Sequence, residues 1–127
     1  MVITIQSKKK IEKVCEDLQI AITSRKFGVV GVHNMKETMA KKGVSFEKAC
    51  YIFEVCHPGH AKTVLEQNMQ ISTALPCRIS VYEEGDGVVL ATLKPSLMLQ
   101  MFGGEGLEGV AQEVETVLVE SMEVAAK

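Results

Sequence analysis

The chain has 127 residues, 46% hydrophobic and 24% charged, with a net charge of −2. That is one globular domain with enough interior to need no covalent staples. The slight acidic excess excludes a general nucleic-acid binder, whose electrostatic footprint is basic, and no apolar run reaches the ~18 residues that a membrane span needs.

Met1–Ser7 precedes Lys8-Lys9-Lys10, so charge follows the apolar part, the reverse of a signal peptide. The expected compartment is the cytosol. Four cysteines in a reducing compartment are free, metal-binding or redox-active rather than paired. Trp is absent and aromatics are scarce, which leaves no stacking platform for single-stranded nucleic acid.

Val2–Ile5 reads as a short strand, and Ser7 is placed to cap the helix after it. That helix carries Ile11, Val14, Cys15, Leu18 and Ile22 on one apolar face. Cys15 lies within the face and reads as a small buried hydrophobe. Phe27–His33 is apolar on both faces and is expected to be a central strand. Strict alternation puts His33 on the face of Phe27, Val29 and Gly31. Asn34 with Glu37 has the spacing of a capping box, and Lys41-Lys42-Gly43 closes the short helix that follows.

A strand over Cys50–Cys56 comes next, with Cys50, Ile52, Glu54 and Cys56 on one face and Tyr51, Phe53 and Val55 on the other. Six residues of extended chain span about 20 Å, so Cys50 and Cys56 share neither a disulfide nor a metal. Pro58 suits the first position of a helix, which makes His57 its N-cap. Asn68–Ala74 is a link with a short helical turn, and Cys77–Tyr82 alternates as a strand with Cys77, Ile79 and Val81 inward. Glu83–Gly87 is a hairpin turn, Val88–Leu93 the returning strand, and Pro95 starts another short helix. After Gly103-Gly104-Glu105-Gly106, the last helix shows Leu107, Val110, Ala111, Val114, Val117, Leu118 and Met122 at helical spacing.

The resulting order is β-α-β-α-β-α-β-β-α-α. It predicts an α+β (two-layer α/β) domain, a five-stranded mixed sheet packed by helices. Open strand edges offer a surface for a homodimer.

Cys56-His57-Pro58-Gly59 is the first candidate site. The free amides of a helix start favour a thiolate or bind an anion. Cys77, on the next strand, would join Cys56 and His57 if the two strands are neighbours, a soft donor set suited to zinc or iron. The conventional zinc spacings are absent. The same thiols suit redox or persulfide chemistry, and structural thiols in a core are the plain alternative. Met35, Met39, Met69, Met98, Met101 and Met122 read as core or interface filler, although Met with His also lines haem pockets, which keeps haem as a minor alternative. No nucleophile triad assembles, and the glycine run lacks the phosphate-loop Lys-Ser/Thr. Binding rather than catalysis is the expectation.

Phe27–His33, Lys36-Glu37-Thr38, Ile52–Pro58, Leu75–Ile79, Val81-Tyr82-Glu83 and Ala91–Pro95 resemble the domain of unknown function 302 family, in the same order and over nearly the whole chain. The resemblance implies a small α/β domain of bacteria and archaea, often homodimeric, with no established activity. Members near sulfur-metabolism proteins associate it with thiol chemistry. Three readings stand: a homodimer binding a small ligand or metal near Cys56, His57 and Cys77, with His33, Arg78 and Lys94 shaping the pocket; a sulfur relay with Cys56 as acceptor thiol and Cys77 as resolving partner, handing sulfur to a transfer partner; and an interaction module with no chemistry.

Overall fold

The computed structural model describes Met1–Lys127. Its elements are β1 (Val2–Ser7), α1 (Ile11–Ser24), β2 (Gly28–Asn34), α2 (Met35–Lys41), β3 (Cys50–Cys56), α3 (Pro58–Gln67), a 3-10 segment (Met69–Ala74), β4 (Cys77–Glu84), β5 (Gly87–Leu93), α4 (Pro95–Gln100) and α5 (Glu108–Ala126). The element order is the expected one. The strands form one sheet in the order β1-β5-β4-β3-β2.

Every neighbouring pair is antiparallel, so the sheet is not mixed. The reason is the path of the chain. α1 carries it from β1 at one edge to β2 at the opposite edge, and each later connection returns it to the end of the sheet that it left. The tightest return is the hairpin Glu84-Gly85-Asp86-Gly87, where Gly85 takes φ +61° as a short hairpin loop requires.

β2 is an edge strand, not a central one. Val30, the extra residue of an irregularity in the strand, and Val32, opposite Phe53, stay 63% and 45% exposed. A run of apolar residues thus describes an uncovered edge as well as a buried centre. The register also slips between Val29, which pairs with Val55, and Gly31, which pairs with Glu54. This bulge adds one residue and reverses the alternation beyond it. Val29 therefore faces with Val55, whereas Gly31 and His33 face the other way, with Glu54 and Ile52.

One sheet face carries Phe53, Val55, Ile79, Val81, Val88 and Leu90, all nearly inaccessible, and packs on Val14, Leu18 and Ile22 of α1 and Leu118, Met122 and Ala125 of α5. Each such large side chain stabilises the fold by about 1.5–3 kcal/mol through burial. The other face carries His33, Ile52, Glu54, Arg78, Ser80, Ala91 and Leu93, and His33, Arg78 and Leu93 are exposed there. A second, smaller cluster, Val64, Ile71 and Leu107, ties α3 and the 3-10 segment to the start of α5.

The helix ends follow local chemistry. Asn34 Oδ1 accepts from the Glu37 amide at 3.1 Å, the N-terminal cap of α2. Ser7 does not cap α1, which starts after Lys10 without a side-chain cap. Its hydroxyl donates instead to Ala126 O at 2.7 Å, and Lys9 Nζ donates to Ala125 O at 2.7 Å. The β1–α1 junction thus ties down the last carbonyls of α5, where a cation is favoured. Lys9 also pairs with Asp17 at 2.6 Å, and Lys13 with the same carboxylate at 3.0 Å. Hydrogen bonds from the two lysines hold the Asp17 carboxyl below its usual range.

Candidate functional site

The main and the smaller apolar clusters do not merge. Between them, where β3 runs into α3 and β4 begins, lies a cavity of about 50 Å³, and fifteen of its nineteen lining residues are hydrophobic. Val64 of α3, Ile71 of the 3-10 segment, Met98 of α4 and Val110 and Leu118 of α5 form much of the wall. Volume on this scale exceeds what one water needs but is well short of an engineered cavity that holds benzene. Its polar groups gather on one side: Cys56, His57, His60 and Cys77.

The strand–helix junction sets His57. Pro58 occupies the first helical position, and His57, with extended backbone, is the N-cap. Its Nδ1 accepts the His60 amide proton at 3.2 Å. The helix-start amide expected to favour a thiolate at Cys56 therefore goes to the imidazole. A nitrogen that accepts carries no proton, so in the neutral ring the proton sits on Nε2. The ring lies tilted against two neighbours, its centroid 4.2 Å from that of His60 and 5.0 Å from that of Phe27. An added Cβ at Gly59 would lie 3.0 Å from His57 Cε1, so a side chain there would make the ring shift by a few tenths of an ångström.

His60 Nε2 is buried without a hydrogen-bond partner. Glu113 Oε1 is 3.4 Å away, within ion-pair range but too poorly aligned to accept a hydrogen bond. A buried ring nitrogen left in this state costs about 1–3 kcal/mol and is free for a molecule that enters the cavity.

Cys56 and Cys77 both reach the cavity wall, and all four cysteines are free. They are not a cross-strand pair, since Cys77 lies opposite Val55. Burial, reinforced by the neighbouring Cys56, pushes the Cys77 thiol up to about 11. That opposes a role for Cys77 as a resolving thiolate, because the thiolate is the reactive form. Cys15 reaches about 11 too, through burial and then Glu12. Burial also raises Cys50, which packs at the far end of β3.

The other expected residues lie elsewhere. His33 and Arg78 meet over Glu54 on the opposite face of the sheet: His33 Nε2 is 3.0 Å from Glu54 Oε1, and Arg78 is 3.6 Å from Oε2. Gly31 leaves the room for this, since a Cβ there would sit 2.7 Å from Glu54 Oε1. Lys94 is the N-cap residue of α4, and its amide donates to Met1 O at 2.8 Å. The six residues thus divide into a cavity wall (Cys56, His57, Cys77), a charged cluster on the open face (His33, Arg78) and a helix start (Lys94).

The donor set does not suit zinc or iron. No three His, Cys, Asp or Glu side chains converge as metal ligands, and His57 has spent Nδ1 on its cap, leaving one nitrogen to offer. The cavity is also far too small for a haem macrocycle, although Met98 lines it with the two histidines. The sequence offered no sign of the gap itself. The periodicity of Val110, Val114 and Leu118 marks a buried face, and whether that face meets a packed neighbour or a void depends on how α3 and α4 seat on it.

No helix is long and apolar enough to cross a membrane. Among solved structures, the crystal structure of an uncharacterized conserved protein DUF302 from Bacillus stearothermophilus is similar to this one, with a TM-score of 0.90 and 25% sequence identity over 99% of this chain and 98% of that one. No curated protein matches. The family model described as Domain of unknown function DUF302 matches residues 3–125, and the chain therefore belongs to the DUF302 family.

Proposed function

We propose that this domain binds a small, mainly apolar molecule in the cavity between the start of α3 and helices α4 and α5, with Cys56, His57 and Cys77 on its polar side. The observation that carries the reading is the cavity: an apolar space between two clusters, with its only polar groups gathered at one strand–helix junction. Such spaces stay dry and accept apolar guests. Pockets with few, convergent polar groups are the usual form of small-ligand sites. Four free thiols fit the reducing cytosol as the working compartment.

Xenon tests this directly. Amide shifts recorded under xenon pressure are expected to move at Val64, Ile71, Met98 and Val110 and to stay fixed on the open sheet face. Uniform small shifts over the whole surface, or none, would remove the reading.

A second reading concerns the open face, which we propose receives a second copy of the chain. Val2 and Leu93 are 57% and 47% exposed there, and Glu54 and Arg78 sit side by side with opposite charge. A two-fold axis through such a face sets each Glu54 against the partner's Arg78, a self-complementary contact. In sedimentation experiments Arg78→Glu is expected to shift the chain toward monomer, and the double swap Glu54→Arg with Arg78→Glu to restore the dimer. A wild-type chain that sediments as a monomer at all concentrations would end this reading.

A further inference from the structure

We infer that the cavity is the inner half of a two-chambered site, and that its ligand is an unbranched chain with one polar end, which passes Met98 to occupy both chambers. The inference rests on the cavity reading above and adds the chemical class of the ligand.

A second cavity, of about 60 Å³, lies where β4 begins and β5 ends. It shares Ala74, Pro76, Cys77 and Met98 with the first, so these four residues form the partition between the two. No residue in the wall of the first cavity is exposed, whereas Arg78 and Leu93 of the second are. The first is thus the inner chamber and the second the way in. Neither approaches the roughly 150 Å³ of an engineered cavity that takes benzene, so a compact ring suits neither of them. A thin chain needs only a gap in the partition.

Met98 supplies that gap. Pro76 is a rigid ring and Ala74 has only a methyl group, whereas a methionine side chain is unbranched and adapts its rotamers to irregular space. The backbone beneath it is fastened. The Ser96 amide and hydroxyl, at the start of α4, donate to Glu115 Oε1 of α5 at 3.3 and 2.9 Å. The side chain therefore swings while the helix holds. The passage is also apolar, since burial keeps the thiol of Cys77, the fourth member of the partition, neutral.

The two ends of the site differ. Val64 and Ile71 close the inner end, where an alkyl group gains most from burial. A polar group there would lose its water without gaining a partner, whereas at the outer end it stays wet. Arg78, at that outer end, is the only lining residue of either chamber with a permanent charge. Arginine offers donors and no acceptor, so the polar end that suits it carries an acceptor oxygen.

The test uses 1-propanol, 1-hexanol and cyclohexanol in amide-shift titrations of the full chain. Each additional buried methylene is expected to tighten binding about fourfold, which makes 1-hexanol about 60-fold tighter than 1-propanol. On one binding curve 1-hexanol is expected to shift the amides of both Ile71 and Leu93, at the two ends of the site. Cyclohexanol, with the same carbons closed into a ring, is expected to bind about tenfold more weakly than 1-hexanol or worse. Met98→Ile stiffens the partition at nearly constant volume, and is expected to bring 1-hexanol to within about threefold of 1-propanol while xenon binding is unchanged. Met98→Ala widens the partition and is expected to improve cyclohexanol about tenfold. Cyclohexanol binding as tightly as 1-hexanol, or full 1-hexanol affinity in Met98→Ile, would overturn the inference and leave the cavity reading standing. So would xenon binding without binding of either linear alcohol. Failure of all three alcohols and of xenon to bind the wild type would overturn the two together.

Discussion

Leu118→Ala is expected to destabilise the protein by about 2–5 kcal/mol, the range of a leucine truncated in a core that collapses only in part. Leu118 has no accessible surface, belongs to the main apolar cluster and also forms cavity wall. Its loss therefore adds to a void already present rather than opening an isolated one. The packing on one side is already missing, which puts the cost in the lower half of the range if α4 moves in and in the upper half if it does not. Urea denaturation measures the cost, and xenon titration tells the two cases apart. An enlarged cavity takes xenon with higher affinity, whereas collapse abolishes binding. Val124→Ala, on the exposed side of α5 at 47% exposure, serves as the reference and is expected to stay within about 0.5 kcal/mol. A cost below about 1 kcal/mol for Leu118→Ala, with unchanged xenon binding, would mean that Leu118 bounds neither the core nor the cavity.

What the sequence makes legible here is local. The cap at Asn34, the proline that starts α3, the hairpin at Gly85 and the apolar faces of α1 and α5 depend on residues within a turn or two of each other, and each was expected where it occurs. What it hides is where elements meet. The sheet is antiparallel throughout because α1 spans its full width, a path that no residue of α1 encodes. The bulge between Val29 and Gly31 moves His33 to the face away from the core. Alternation is a period-two signal, so one inserted residue inverts every assignment beyond it. The same reversal takes His33 out of the cavity and places it with Arg78 on Glu54. Lys94 follows the strand that pairs with β1, and only the tertiary pairing shows its amide held by Met1. Cys56, His57 and Cys77 all line the cavity, whereas the sequence left a meeting of the two thiols conditional on β3 and β4 being neighbours. The Cys77 thiol, however, is desolvated, and burial cannot be read from a strand pattern alone.

The buried thiols imply a loss of stability in alkali. Burial raises Cys77 and Cys15 from 9.0 to about 11, so in the folded protein both keep their protons where the unfolded chain has released them. A raised pKa contributes stability that is fully present below the unfolded value and is lost as pH rises from there toward the folded value. The window is thus roughly pH 9 to 11. At pH 10 a two-unit shift corresponds to about 1.4 kcal/mol for the well-buried Cys77. The half-buried Cys15 contributes less, since solvent screens it, and the pair together is expected to cost about 2 kcal/mol. Cys77→Val with Cys15→Ala removes both titrations. Urea denaturation at pH 7 and pH 10 is then expected to show a drop about 2 kcal/mol smaller in the double variant than in the wild type. Lysines and Tyr51 titrate in both proteins, so the difference between the two drops isolates the thiols. Equal drops would show that Cys77 is ionised without penalty in the folded state. In that case the objection to Cys77 as a resolving thiolate disappears, and the sulfur-relay reading regains its second cysteine.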